Sequence, residues 1–555
     1  MARCACLRGC CARRSIGASG SCSGKRVKAL GSDGAPGSAR TFPELIRSAA
    51  AVYGDALAIT LETETGSESA TFGELDRRSA ELARGLLARG AGKGTRVGFI
   101  FGNGPGFAVV MAAIARIGAV AVPISTMLRA GELVRVLRQS DVQGLIVQRT
   151  VLGNDLVARL VDALPELDGQ LWGALRLPRV PYLRWIVSSG AGLPLAVAPI
   201  AWLTQVDAGA QVLREVEAEV HPTDQMIEIY TSGSTALPKG VRHVHGAVMA
   251  RSHWLAGMLG VQAGQQRPAP LPMFWVGGLM LALLPGWVRG ATTVCRERTL
   301  SNSRFAMGSV LAEEDLERIR GAQPWWGLGM SETLGPYGWG DVFRAPGRPV
   351  CAPMDHFAPG YEIRIVDERG RPVANGEVGE MQVRGAAVAP ALHKIDPAEH
   401  YTPDGYLRTG DLCLVEERDE DGADGRRVHF VGRGGDMIKV SGSNVAPAEV
   451  EMELQALDGV HSAYVVGLPD RERGALLVAA LVPRDGAMLD LPAIETRMKA
   501  SLSSYKVPRA WVELTRDEVP LLHSNKVARR EIARIVAERL AEGQSLSISG
   551  SGSRN

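Results

Sequence analysis

The side chains best suited to chemistry gather in one run, Tyr230-Thr231-Ser232-Gly233-Ser234-Thr235-Ala236-Leu237-Pro238-Lys239-Gly240, directly after the apolar stretch Met226 to Ile229. Hydroxyls and glycines packed this densely behind a buried strand present backbone N–H and O–H groups to anionic oxygens, and Lys239 adds a positive charge that can follow a pyrophosphate. A polar surface turn is the plainer alternative at this point. The run is not a Walker loop, since G-x-x-x-x-G-K-S/T cannot be fitted, and Gly102, Gly104 and Gly106 miss the dinucleotide G-x-G-x-x-G spacing by one residue. Lysine is scarce: nine of the 62 basic residues are lysine, so each one retained invites a question about its task.

Stepping outward, strands and helices alternate around this run. Thr71 and Glu74 form a capping box ahead of Leu75, Leu82 and Leu86, which predicts an amphipathic helix to about Arg89 with Gly90 as its stop. A strand is expected at Val97–Phe101, a helix through Val109, Val110 and Ala113, a strand at Ala119–Val122, a helix from Gly131 and a strand at Leu145–Val147. Strand alternating with helix means a parallel-rich sheet covered on both faces, hence an α/β body. Past the Gly-rich turn at Gly432, Gly434 and Gly435 the pattern becomes shorter α+β, with Ala463–Val466, Leu476–Val482 and a helix over Val527–Leu540. The expected division is an extension over 1–40, a large N-terminal body over 41–432, a small mobile lid over 433–541 and a flexible tail over 542–555.

Composition bounds the function. The 555 residues are 46% apolar and 22% charged with a net charge of +2, an ordinary globular balance that argues against a nucleic-acid partner held by a basic surface. The longest apolar stretch, Phe107 to Val122, is broken by Arg116 and ends at Pro123, short of the roughly 20 residues of a membrane span. Five of eight cysteines lie in the first 22 residues, and Cys295, Cys351 and Cys413 are scattered, which is no disulfide framework and suits the cytoplasm.

The phosphate-type loop resembles the signature Y/F-T-S-G-S/T-T-G-x-P-K-G of the adenylate-forming superfamily of acyl-CoA synthetases, peptide-synthetase adenylation domains and luciferases. Further matches follow in that family's order: Gly329-Met330-Ser331-Glu332-Thr333, Tyr406-Leu407-Arg408-Thr409-Gly410-Asp411, the junction from Gly432-Arg433 to Lys439 and Gly442, and Ser524-Asn525-Lys526-Val527. The resemblance covers about residues 41–541. It implies attack of a carboxylate on the α-phosphorus of ATP, release of pyrophosphate, and transfer of the acyl group from acyl-AMP to CoA. Under it Thr231, Ser232, Gly233, Ser234, Thr235 and Lys239 would cradle phosphates, and Glu332 with Thr231 would hold Mg²⁺. Gly329, Met330 and Ser331 would flank the nucleotide, Asp411 would take the ribose hydroxyls, and Arg433 would support ribose or phosphate. Lys526 would be the catalytic lysine. Lys439, Gly442 and Lys506 would lie on the CoA side, and Gly435 would be the hinge. Trp275, Gly277 and Gly278, ahead of the apolar Leu279–Leu284, would line a pocket for a hydrophobic, expectedly fatty, acid.

The alternatives are an acyl-AMP ligase feeding an acyl-carrier protein, and an impaired adenylate or acyl binder. Three departures bear on the second. Ala236 replaces the usual glycine of the loop, Leu328 stands where an aromatic residue often meets adenine, and only 56 residues separate Trp275 from Glu332, about one helix-strand-helix fewer than the resemblance implies, with the shortfall near 295–304. His243 and His245 form an H-x-H pair, for which metal binding is the weaker reading.

Overall fold

The computed structural model describes residues 36–231, 238–297, 325–341, 354, 356–417, 426–433, 438–441, 443–445, 447–520, 529–543 and 547–548. Its centre is an eight-stranded sheet in the order Ala391–His393, Lys239–Val244, Gln225–Thr231, Val120–Pro123, Arg96–Ile100, Gly144–Val147, Trp185–Ser188, Ala198–Pro199. The six strands from Gln225–Thr231 to Ala198–Pro199 run parallel, whereas Lys239–Val244 and Ala391–His393 add antiparallel at one edge. The expected α/β body is therefore present, with an antiparallel margin where the phosphate-type loop turns back.

Local sequence explains the elements around it. Thr71 Oγ1 accepts the Glu74 amide at 3.1 Å and Glu74 Oε2 accepts the Thr71 amide at 2.9 Å, so the helix Phe72–Ala88 starts on a full capping box. The helix Pro105–Ala115 is almost wholly buried, which is why its sequence lacks an amphipathic pattern. Arg116, at its C-terminal end, is buried with Glu217 and donates to it at 2.5 Å, and also to Ser79 Oγ at 2.8 Å, the Asp76 carbonyl at 2.8 Å and Asp76 Oδ1 at 2.9 Å. The charge that interrupts the apolar run is thus a paired core residue tying three helices together.

A second sheet, Gln266–Pro268, Thr292–Arg296, Leu57–Thr63 and Gly66–Thr71, flanks the first. A third, fully antiparallel, comprises Tyr361–Val366, Val378–Gly385, Leu407–Glu417 and Arg426–Arg433. The small domain has its own sheet, the hairpin Val460–Asp470 and Gly474–Pro483 with Ala510–Glu513 beside it, packed by the helices Pro447–Gln455, Leu491–Ser501 and Arg529–Ala541. Ser547–Ile548, expected in a flexible tail, pairs instead as a short strand on Ala510 and Trp511, where the sheet edge offers unpaired backbone groups. Among the described residues no helix is long and apolar enough to cross a membrane.

Candidate active site

Thr231 and Lys239 are directly paired across the antiparallel strands Gln225–Thr231 and Lys239–Val244, so the intervening loop leaves and re-enters the sheet at one place. The base of that loop is packed rather than open. Tyr230 donates to Glu228 Oε1 at 2.5 Å, and Glu228, fully buried, also accepts from Gln225 Nε2 at 3.0 Å and Arg96 Nε at 3.3 Å. A β-carbon on Gly240 would sit 2.7 Å from the Tyr230 ring and 2.8 Å from Glu228 Oε1, which makes glycine the residue that lets the tyrosine cross its neighbouring strand. Burial and the Glu228 carboxylate push the Tyr230 hydroxyl far above the usual tyrosine value, so it stays a donor. Lys239 is buried and its Nζ lies 3.2 Å from His400 Nε2. His400, on the short helix Pro397–His400, has its pKa lowered by burial and by Lys239, so it meets the ammonium as a neutral acceptor.

The Gly329–Thr333 segment ends a strand, Trp325–Met330, and enters one turn of 3-10 helix, Ser331–Thr333. Thr333 Oγ1 lies 3.1 Å from both the amide and the carbonyl of Met330 and 2.9 Å from the Gly335 carbonyl, closing the turn on itself. Leu334 follows at φ 51°, a left-handed conformation that a buried leucine holds only where its surroundings enforce it. Two outside contacts fix the turn: His243 Nε2 donates to the Ser331 carbonyl at 2.8 Å, and the Ala389 amide donates to the Glu332 carbonyl at 2.7 Å. Tyr401 donates to the Ala389 carbonyl at 2.6 Å, and its hydroxyl is raised by burial and by the Glu332 charge, which places the Glu332 carboxylate in its neighbourhood. Leu328 is buried in a core with Tyr337, Met354 and Met381.

Thr409-Gly410-Asp411 is a bulge. Glu380 pairs with Leu412 and Gln382 with Arg408, so three residues oppose one, and Gly410 takes φ 71° to allow it. Thr409 Oγ1 donates to the Met381 carbonyl at 2.5 Å and accepts the Asp411 amide at 3.0 Å, holding the buried Asp411 in place. Arg433 is the backbone partner of Asp411 on the adjacent strand, which is how residues 22 positions apart meet.

In the acyl segment, Asn103 grips both ends of a turn: its Nδ2 donates to the Leu271 carbonyl at 2.9 Å and its Oδ1 accepts the Met273 amide at 2.8 Å. Trp275 meets Phe274 edge-on at 5.6 Å between centroids. Gly278 has no room for a side chain, because a β-carbon would lie 2.2 Å from the Pro272 carbonyl oxygen, and one on Gly277 would lie 2.7 Å from Leu271 Cδ1. A π-helical turn, Leu279–Leu283, follows.

Lys439 is exposed on the strand Ile438–Val440, and Lys506 is buried against Glu132 at 2.6 Å and Glu449 at 3.0 Å. Ser232, Gly233, Ser234, Thr235, Gly435, Gly442 and Lys526 lie outside the described residues, as does most of the shortfall region near 295–304. Asn103, His400, Glu228 and Ala389 escaped the sequence reading. Only Glu228, a carboxylate inside an apolar strand, carried a local signal. His243 and His245 are each buried and engaged by backbone, the Ser331 carbonyl and, at 3.2 Å, the Phe42 amide.

The described strands at Thr231 and Lys239, the Glu332 turn and the Asp411 bulge sit in a large α/β domain with a smaller α+β C-terminal domain, the architecture of adenylate-forming enzymes. A family model for AMP-binding enzymes matches residues 46–310, and one for the AMP-binding enzyme C-terminal domain matches residues 449–526. The chain belongs to this family of AMP-forming acid–thiol ligases, which work with ATP, Mg²⁺ and CoA on a small-molecule acid.

It is 29% identical over 516 residues to a feruloyl-CoA synthase of Amycolatopsis sp, covering 84% of this chain and 94% of the relative. It is 28% identical over 508 residues to a 3-hydroxybenzoate/4-hydroxybenzoate CoA ligase of Thauera aromatica, covering 83% and 90%. A double mutant of the o-succinylbenzoate CoA synthetase of Bacillus subtilis, bound with a product analogue, shares the fold with a TM-score of 0.66 at 20% identity, over 88% of this chain and 98% of that one. Acid activation followed by CoA thioester formation is the activity these findings carry. A fatty acid as the substrate is a narrower statement than they make.

Proposed function

We propose that the chain activates an aryl or arylalkyl carboxylic acid to its acyl-AMP and passes the acyl group to CoA. The observation that carries the proposal is the convergence of the Thr231/Lys239 loop base with the Glu332 turn, through His243 on the strand that begins at Lys239. The named activities of the two relatives, together with the Phe274–Trp275 ring pair in the acyl segment, favour a flat ring over a long alkyl chain.

In this reading Thr231 to Thr235 and Lys239 hold the β- and γ-phosphates, and Asp411 and Arg433 hold the ribose. Gly329, Met330 and Ser331 border the base and α-phosphate, and Lys526 bridges the attacking carboxylate and the α-phosphate oxygens. The donor set suits Mg²⁺, which takes one or two protein carboxylates and completes its octahedron with phosphate and water, and among the described residues no three His, Cys, Asp or Glu side chains cluster into an all-protein cage. Glu332 and Thr231 would hold it. Mg²⁺, when bound, neutralises charge that builds on the phosphate oxygens.

The body of 41–432 and the lid of 433–541, hinged at Gly435, form part of this reading, with Lys439, Gly442 and Lys506 on the thiol side. Cytoplasmic residence also belongs to it, supported by the buried Cys295 and Cys413 thiols. The test is carboxylate-dependent exchange of labelled pyrophosphate into ATP, run on hydroxybenzoic, cinnamic and straight-chain acids, followed by CoA-dependent AMP release. Preference for alkyl acids would return the fatty-acid reading, and AMP release without CoA but with a carrier protein would favour carrier loading. Nucleotide binding without exchange on any acid would mark a non-catalytic binder.

A further inference from the structure

The helix Ala130–Ser140 of the body makes the buried connection to the small domain. Glu132, in its first turn and 2% exposed, caps its own helix by accepting the Arg129 amide on Oε2 at 2.8 Å and turns both carboxylate oxygens to the small domain as well. Oε1 receives Lys506 Nζ at 2.6 Å, while Oε2 accepts the Ser503 amide at 3.0 Å and lies 2.7 Å from the Ser503 hydroxyl. Lys506 also donates to Glu449 at 3.0 Å, and one turn along the helix Arg135 pairs with Glu453 at 2.7 Å and Glu449 at 3.7 Å. Burial opposes the Lys506 charge, yet Tyr505, Glu132 and Glu449 outweigh it and hold the lysine above its ordinary pKa, so it remains an ammonium.

Surface ion pairs constrain little, but Glu132, Lys506, Glu449 and Ser503, each under a tenth exposed, cannot lose one partner at a time without stranding a charge away from water. The cluster opens or closes as a unit, which is what a two-state domain contact requires. The opposite end of the same helix is also anchored. Asp141, its left-handed C-cap, accepts from His393 Nε2 at 3.1 Å and Lys394 Nζ at 2.5 Å, on the edge strand that pairs with Gly240 beside Lys239.

We propose that Glu132 is a positioning residue that latches the small domain, through Lys506 and Ser503, in one of the two orientations the two-step reaction uses. The proposal rests on the adenylation-then-thioester reading, and in it Glu132 acts only through Lys506 and Ser503. Opening the latch biases the domain equilibrium, and the two half-reactions respond unequally because each draws on a different orientation.

The test compares wild type, Glu132→Gln, Glu132→Ala, Ser503→Ala and the Glu132→Ala/Ser503→Ala pair. Pyrophosphate exchange reports the first half-reaction, and CoA-dependent AMP release from supplied acyl-AMP the second. The ratio of the two rates is expected to shift at least about fivefold in both Glu132 variants, with the double variant no further displaced than Glu132→Ala, since both residues serve one contact. Hydrogen exchange of the intact proteins supplies a readout independent of activity: segment 501–507 should exchange about tenfold faster in Glu132→Ala, while 510–513 keeps its protection. Equal loss of both half-reactions, an unchanged ratio, or unchanged exchange at 501–507 overturns the latch. So does a raised CoA KM in Lys506→Met with no ratio shift in Glu132→Gln. Wild type inactive with every acid would defeat the ligase reading, and exchange at 501–507 would then still decide the latch.

Discussion

At the scale of single residues, the site is built from positions where a side chain or its absence is dictated by close neighbours. Gly278 sits under the Pro272 carbonyl, and Gly278→Ala must push the turn that Asn103 holds. We expect a KM for the acid raised tenfold or more with the KM for ATP nearly unchanged, and a stability loss of about 1–3 kcal/mol from overpacking, read by steady-state kinetics and a denaturant melt. Glu332→Gln keeps the size of the side chain but removes the charge offered to Mg²⁺. Exchange kcat is expected to fall by about 10²-fold, roughly 3 kcal/mol of transition-state stabilisation, with part of the loss recovered at raised Mg²⁺. Full exchange activity in this variant would remove Glu332 from the metal site.

At the scale of elements, the junction between the strand Lys239–Val244 and the helix His245–Met258 carries a pH sensitivity. Burial lowers His243 and His245 from 6.5 to about 4, so both fold as neutral imidazoles. Because the folded pKa lies below the unfolded one, stability is fully present above pH 6.5 and is lost as pH falls towards 4. Each histidine then costs about 2 kcal/mol by pH 5, and urea midpoints measured from pH 7.5 to 5 should fall less steeply in His245→Asn than in wild type. The helix junction at Arg116 responds to partner removal instead. Glu217→Ala leaves a buried guanidinium with only Asp76, Ser79 and a carbonyl, and should cost about 3 kcal/mol, most of it recovered in Arg116→Met/Glu217→Leu. Chemical denaturation of the three proteins checks this.

For the whole molecule, the large N-terminal domain and the small C-terminal domain have separate apolar cores, and Trp511, fully buried, is the single tryptophan after residue 433. Trp511→Ala should destabilise the small domain by about 3–5 kcal/mol and lower protection across 460–513, while segment 96–147 of the large domain keeps its exchange rates. Loss of protection in both would show one cooperative unit.

Much of this architecture is legible in the chain alone, since it is local. The capping box at Thr71 and Glu74, the period-two and period-3.6 patterns, and the glycine needed at positive φ in Thr409-Gly410-Asp411 depend on neighbours within a few residues. Motif order along the chain carries the family because the chemistry constrains residue types at fixed spacing. Other features exist only between distant segments. Lys506 reads as a thiol-side cation and folds onto Glu132, 374 positions away; His243, for which metal binding is the weaker reading, folds onto the Ser331 carbonyl. Asn103 and His400 carry no local mark. Burial and partner choice are set by where the elements dock, and desolvation decides which charges stay, a term that no residue carries by itself.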